Sequence, residues 1–166
     1  MYPKSFMQKQ QGFLLPLAIF IVVAMAALAL VLTRNIIQTN FSATQEMVSA
    51  QTFYAAESGA QRGMQTLFYP DASSRQAVDN RCVAMNTPST YAFTVTGLKN
   101  CAAVVTCGCL YQDNTSCAPG TAANYSTSAA VNKLNSFYKI SSVATCGSGN
   151  LRAVRTIEAG SFLEQE

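Results

Sequence analysis

The residues of this chain with the most distinctive chemistry are six cysteines: Cys82, Cys101, Cys107, Cys109, Cys117 and Cys146. Such a set suits either of two chemistries. Thiolates hold soft metals, and cystines staple small exported domains. The run Cys101…Cys107-Gly-Cys109…Cys117 contains no C-x-x-C pair, and the chain has no histidine to complete a zinc site. Disulfides are therefore the reading, with no metal and no cofactor expected. An even number of cysteines, all following a long apolar stretch, also implies an oxidising compartment. Six cysteines allow fifteen pairings, and the sequence alone does not choose among them.

Catalytic groups are scarce. Histidine, the usual general base, is absent. Glu57-Ser58-Gly59 lacks the G-x-S-x-G frame of a nucleophile elbow. Glu46 and Glu57 read as solvated or interfacial helix charges, so no enzyme is expected. The formal charge is +3, with Lys4 and Lys9 ahead of the apolar stretch; the remainder is nearly neutral and has no basic field for nucleic acid. Asn-x-Ser patterns at Asn40, Asn114 and Asn124 are short enough to arise by chance.

The elements that must carry these residues begin with Phe13–Leu32, 20 residues without a charge. As a helix this stretch spans roughly 30 Å, the thickness of a hydrocarbon core. The lysines in front keep the N-terminus cytoplasmic and send the rest of the chain outward. A plain anchor fits this pattern. A cleaved secretory signal also fits, with Ala24-Met25-Ala26 as the small-x-small site, although the apolar run continues past it to Leu32.

A third reading accounts for more of the residues. The short basic leader 1–12 ends in Gly12 and is followed at once by Phe13 and the apolar run. This resembles the class III signal of type IV pilins. The resemblance implies cleavage between Gly12 and Phe13 by a prepilin peptidase, with methylation, and an anchor that stays in place. Pro16 then falls in the first helical turn, where its missing N–H costs little. At the fifth mature position most such pilins carry Glu, thought to pair with a neighbouring subunit's N-terminal ammonium. This chain has Leu17, which implies a minor or initiating subunit instead of a repeating one.

From Thr33 to Tyr69 there is no proline, and Ile37, Phe41, Val48 and Leu67 recur at near-helical spacing. Arg34 marks the membrane exit, and Tyr69-Pro70-Asp71 is a stop. The prediction is one helix from about Phe13 to Phe68, with a transmembrane half at 13–32 and an amphipathic half at 33–69. Ala56, Gly59, Ala60 and Gly63 share one face of it. Glycine in a helix costs about 1 kcal/mol relative to alanine, which a close packing surface on the domain's sheet would offset; the alternative is a break near Gly59. The segment Ala55-Ala56-Glu57-Ser58-Gly59-Ala60, behind Gln11-Gly12-Phe13, resembles PilX-like and MshP-like minor pilins, the latter accessory to the mannose-sensitive haemagglutinin pilus.

Residues 70–166 read as β-rich. Alternation marks strands at 91–96, 138–144 and 151–159, the last two joined as a hairpin through Gly147-Ser-Gly-Asn, and the apolar, β-branched run 102–107 marks another. Residues 111–136 read as a long loop or a weak element. The expected class is α+β: a long N-terminal helix on a small antiparallel sheet, pilin-like. Cys82, Cys101, Cys107 and Cys146 match the cysteines of the MshP-like pattern, and Cys109 and Cys117 look like an added pair. The pairing expected from this is Cys82–Cys101, Cys107–Cys146 and Cys109–Cys117.

The resemblance implies a minor subunit in assembly or initiation of a type IV pilus, held in a bacterial inner membrane with its C-terminal domain periplasmic, then incorporated in a surface pilus. Its partners would be other pilin subunits, the prepilin peptidase and the inner-membrane assembly platform. A tip adhesin, a DNA-uptake component or a type II secretion pseudopilin are the alternatives.

Overall fold

The computed structural model describes residues 14–70, 74–87, 89–126 and 129–164. The cleavage pair Gly12 and Phe13 lies outside them. The chain divides into two compact units, Met1–Ala43 and Thr44–Glu166.

Helix α1 runs from Leu14 to Phe68, 55 residues without a break. Its continuity follows from its composition. Pro16 sits in the first turn, and no further proline occurs before Pro70. Thr33, Thr39, Thr52 and Thr66 satisfy their hydroxyls on the carbonyl four residues back, so they do not compete with the helix. Pro70 ends the helix because the residue before a proline is pushed out of the α region. Within the first unit the helix exposes its apolar side chains, among them Leu17, Phe20 and Leu28. Among the described residues it is the one helix long and apolar enough to cross a membrane.

The second unit places the later half of α1 on a four-stranded antiparallel sheet in the order β1-β2-β3-β4. The strands are β1 (Ser89–Ala92), β2 (Cys101–Tyr111), β3 (Asn135–Cys146) and β4 (Ala153–Glu164). This is the expected α+β class, and it is consistent with a pilin-like fold. β2 and β3 are longer than the segments 102–107 and 138–144 expected for them. β1 is shorter, ending before the turn at Gly97, where φ is +94°. The β3–β4 hairpin closes through Gly147, whose φ of +78° and contact with the Leu151 carbonyl leave no room for a side chain.

A helix stands between Pro70 and the first strand, where no element was expected. α2 (Arg75–Ala84) is capped by the Ser74 hydroxyl, which accepts from the Ala77 N–H. It buries Val78 and Cys82, four residues apart, against the same sheet face as α1. That face carries the odd residues of β2 and the even residues of β3. Where α1 crosses it, the sheet offers Ala103, Ser142 and Ala144, and the helix offers Ala55, Ala56, Gly59 and Ala60.

Small residues on both sides permit a close approach. A Cβ on Gly59 would overlap Ser142 Oγ and lie 2.9 Å from Ala103 Cβ. One on Gly63 would lie 2.8 Å from both Val105 Cγ1 and Ile140 Cγ2. Gly63→Ala therefore opposes two effects, a helix-propensity gain of about 1 kcal/mol and an overpacking cost of about 1–3 kcal/mol. Because both neighbours are β-branched and buried, overpacking should dominate. Urea unfolding of the non-reduced protein should show a lower midpoint for Gly63→Ala, and an unchanged one for exposed Gln61→Ala. A higher midpoint for Gly63→Ala would mean that the interface has slack.

Candidate functional site

Three cystines bind the second unit: Cys82–Cys107, Cys101–Cys146 and Cys109–Cys117. The expected Cys82–Cys101 and Cys107–Cys146 are not formed. Two features of the fold account for the difference. Cys82 lies on α2, a helix absent from the sequence reading, and α2 sets it over the middle of β2, opposite Cys107. Cys101 and Cys146 are directly opposed in the β2–β3 register, with Cα atoms 4.1 Å apart. Such close spacing belongs to a non-hydrogen-bonded antiparallel pair.

Next to the third cystine lies a buried polar cluster that the sequence reading missed. Asp79, on α2, is fully buried. Its Oδ1 accepts from the Tyr138 hydroxyl at 2.6 Å. Its Oδ2 accepts from Tyr125 at 2.6 Å and from Ser136 Oγ at 3.1 Å. Arg75, one turn earlier and also buried, stands 4.0 Å from Oδ2. Its guanidinium donates to Ser136 Oγ at 2.9 Å and to the Asn124 carbonyl, and lies over the Tyr125 ring at 4.5 Å. Since Tyr125 gives its proton to Asp79, the Tyr111 hydroxyl donates to Tyr125 across 3.0 Å and accepts the Ala118 N–H. A buried carboxylate is tolerated only with such a set of donors and a cation.

The cluster explains residues 111–136. Of these, the described residues 111–126 and 129–136 form a crossover closed by Cys109–Cys117, turned through two short 3-10 segments (Ala122–Tyr125 and Val131–Lys133), and pinned to α2 by Tyr125, to which Tyr111 bonds in turn. Gln76 adds a bond to the Pro119 carbonyl at 2.8 Å. At its exposed rim Asp113 accepts from Thr115 N–H and pairs with Lys133 at 3.3 Å. The Thr115 hydroxyl bond, ahead of other causes, holds the Asp113 carboxyl below its ordinary pKa.

Asp79, Cys109 and Cys117 bring three metal-type ligand atoms within 4.8 Å of one another. The two sulfurs are bonded to each other, and both carboxylate oxygens accept hydrogen bonds, so the group offers no open ligand set. Cys109 Sγ, 3.5 Å from Asp79 Oδ1, makes a contact without a proton to share.

Comparisons with protein-family models, with characterised proteins and with solved structures give no significant match. Of the residues singled out in the sequence, Ala56, Gly59, Ala60 and Gly63 lie together at the helix–sheet contact. Leu17 is exposed on the first turn of α1, in the other unit. A sequence signal for the missed cluster did exist. Ser74 before Arg75-Gln-Ala-Val-Asp has the form of a helix N-cap, and Arg75 and Asp79 are spaced i, i+4.

Burial first, and then hydrogen bonding to Asp79, push the Tyr138 and Tyr125 hydroxyls far above the ordinary phenol pKa of 10.0. The folded chain thus keeps both protons where the unfolded chain loses them. The stabilisation is complete below about pH 10 and declines as pH rises further. Tyr138→Phe should cost about 1.5–3 kcal/mol at neutral pH, the range for a hydrogen bond to a charged group. It should also flatten the alkaline fall in stability seen in urea titrations above about pH 10. An unaltered slope would show that Tyr138 does not hold its proton through Asp79.

Proposed function

We propose that this chain is a minor pilin-like subunit that takes part in assembly or initiation of a type IV pilus of the MSHA-like kind. The observation that carries this reading is the division of labour along α1. The helix begins as an exposed apolar stretch long enough to cross a membrane, and its later half beds on a cystine-stapled antiparallel sheet. A subunit of this kind is processed between Gly12 and Phe13 by a prepilin peptidase, and waits in the inner membrane with its cystine-bearing domain in the periplasm. It then exchanges lipid for neighbouring subunits' helices on the assembly platform. Leu17 supports a minor or initiating rank, since a leucine supplies no charge for a neighbour's N-terminal ammonium.

A tip-located binding role is the second reading, favoured by the anchoring of the crossover at Cys109–Cys117 and Tyr125. Such anchoring suits a contact surface because less order is lost on binding. Deleting the crossover would not test this role, because Tyr111 and Cys117 belong to the core. Substituting the exposed Gln112, Asn114 and Thr115 is the suitable probe, with pilus assembly preserved and surface adhesion lost as the outcome for that reading.

N-terminal sequencing of the membrane-extracted protein tests the main proposal. A mature start at Phe13, dependent on the prepilin peptidase, is the expected result. A start near Ala27 or an intact Met1 would remove the proposal's chief support.

A further inference from the structure

The sheet's register determines where its unused hydrogen-bonding groups lie. The Phe93 N–H donates to the Cys101 carbonyl, and the Cys117 N–H to the Cys109 carbonyl, so the odd residues of β2 turn their backbone groups away from β3. The Gly147 N–H donates to the Asn100 carbonyl, which turns the even residues toward β3. Carrying this alternation through the β2–β3 and β3–β4 registers assigns the odd residues of β4 to the ladder with β3. The N–H and C=O groups of Val154, Thr156, Glu158, Gly160, Phe162 and Glu164 then face the open edge. Among the described residues no strand lies there.

Several of the usual guards against strand addition are absent from this edge. β4 contains no proline and no lysine, and its pairing with β3 runs from Ala153 to Glu164 without a bulge. The outer face beside it is partly apolar. Leu110, Phe137 and Phe162 form one exposed row across three strands, the two phenyl rings 6.3 Å apart. Gly160 leaves open space next to the row. The charges that β4 presents on this face are acidic, Glu158, which is exposed and pairs with Lys139 of β3 at 2.9 Å, and Glu164, while Arg155 points to the helix side and donates to Ser49 at 2.7 Å.

We infer that β4 is a docking edge that accepts, antiparallel, an extended strand from a partner subunit of different sequence. That strand would carry basic residues opposite Glu158 and Glu164 and bulky apolar residues opposite Gly160 and Phe162. The setting, subunits side by side in one membrane, rests on the function proposed above. A second copy of this chain does not fit that setting. Antiparallel β4–β4 pairing needs a two-fold axis normal to the sheet, which reverses the direction of the helix lying on it. Pairing β4 with another copy's β1 offers only Thr90 and Ala92 as outward-facing partners. The chemistry of the edge, alternating donors and acceptors, is met by a polypeptide strand, and the side chains beside it set the partner's pattern.

Amide exchange read by NMR on the full chain in detergent micelles tests the inference. The probe is the peptide acetyl-KTFTYTKTVTV-amide, which places its lysines and aromatics as stated. In the free chain the N–H groups of Thr156, Glu158, Gly160 and Phe162 should exchange fast, while those of Ile157, Ala159 and Ser161 stay slow. Saturating peptide should slow the even set by at least about tenfold. A peptide with proline in place of its tyrosine and first valine should have no effect, and one with glutamates for lysines should bind more weakly. Thr156→Pro, which removes an outward N–H and no ladder bond, should abolish the slowing with the three disulfides unchanged. The inference is overturned if the even amides are already slow in the free chain, if they slow with protein concentration alone, or if the proline peptide acts equally. Slowing in a chain whose N-terminus is still Met1 would uphold the docking edge and remove only the pilus as its setting.

Discussion

The second unit depends on how closely α1 lies against its sheet. Gly59 and several alanines on the helix meet Ala103, Ser142 and Ala144 on the strands, so the backbones approach with almost no side chain between them, and Gly63 makes room for Val105 and Ile140. Glycine weakens an isolated helix, but at this contact it allows dispersion contacts that a larger residue would exclude. The same closeness explains the small residues that break the apolar pattern of β2 and β3. It also leaves Ser142 Oγ buried without a hydrogen-bond partner among the described residues, a cost that the contact has to carry.

Past this contact, larger residues take over. Leu67, Val78, Val105 and Ile140 fill a second cluster beneath α2, and there the unit buries a charge. Asp79 gathers protons from two tyrosines and a serine, with Arg75 beside it, and thereby ties α2, β3 and the crossover between β2 and β3 into one network. Removing one partner of such a group is far costlier than never having built it, so the network constrains its neighbours together. The three cystines add to that constraint by joining α2 to β2, β2 to β3, and β2 to the crossover.

Much of this was legible before any coordinates. The long helix, its stop at Pro70, the β3–β4 hairpin and the α+β class all follow from local signals: absence of proline, an apolar run of membrane length, and alternation beside a glycine turn. α2 was harder to see. Its ten residues include four charged or amide side chains that are polar in sequence yet partly buried in the fold, so apolar periodicity gave it little contrast. The crossover at 111–136 looked like a loop because its anchors are tyrosine hydroxyls and carbonyls, whose partners lie 46 and more residues away in the case of Asp79.

What the sequence determined by itself was everything that depends on near neighbours in the chain: helix length, strand alternation, turn glycines, and the even cysteine count of a stapled domain. Only the tertiary structure decided the cystine partners, the helix–sheet contact partners and the role of Asp79. Disulfide pairing needs two Cβ atoms within a few ångströms, and a buried carboxylate needs donors from several elements at once. Both conditions are set by how α2 and the β2–β3 register bring distant residues together, which no spacing along the chain encodes.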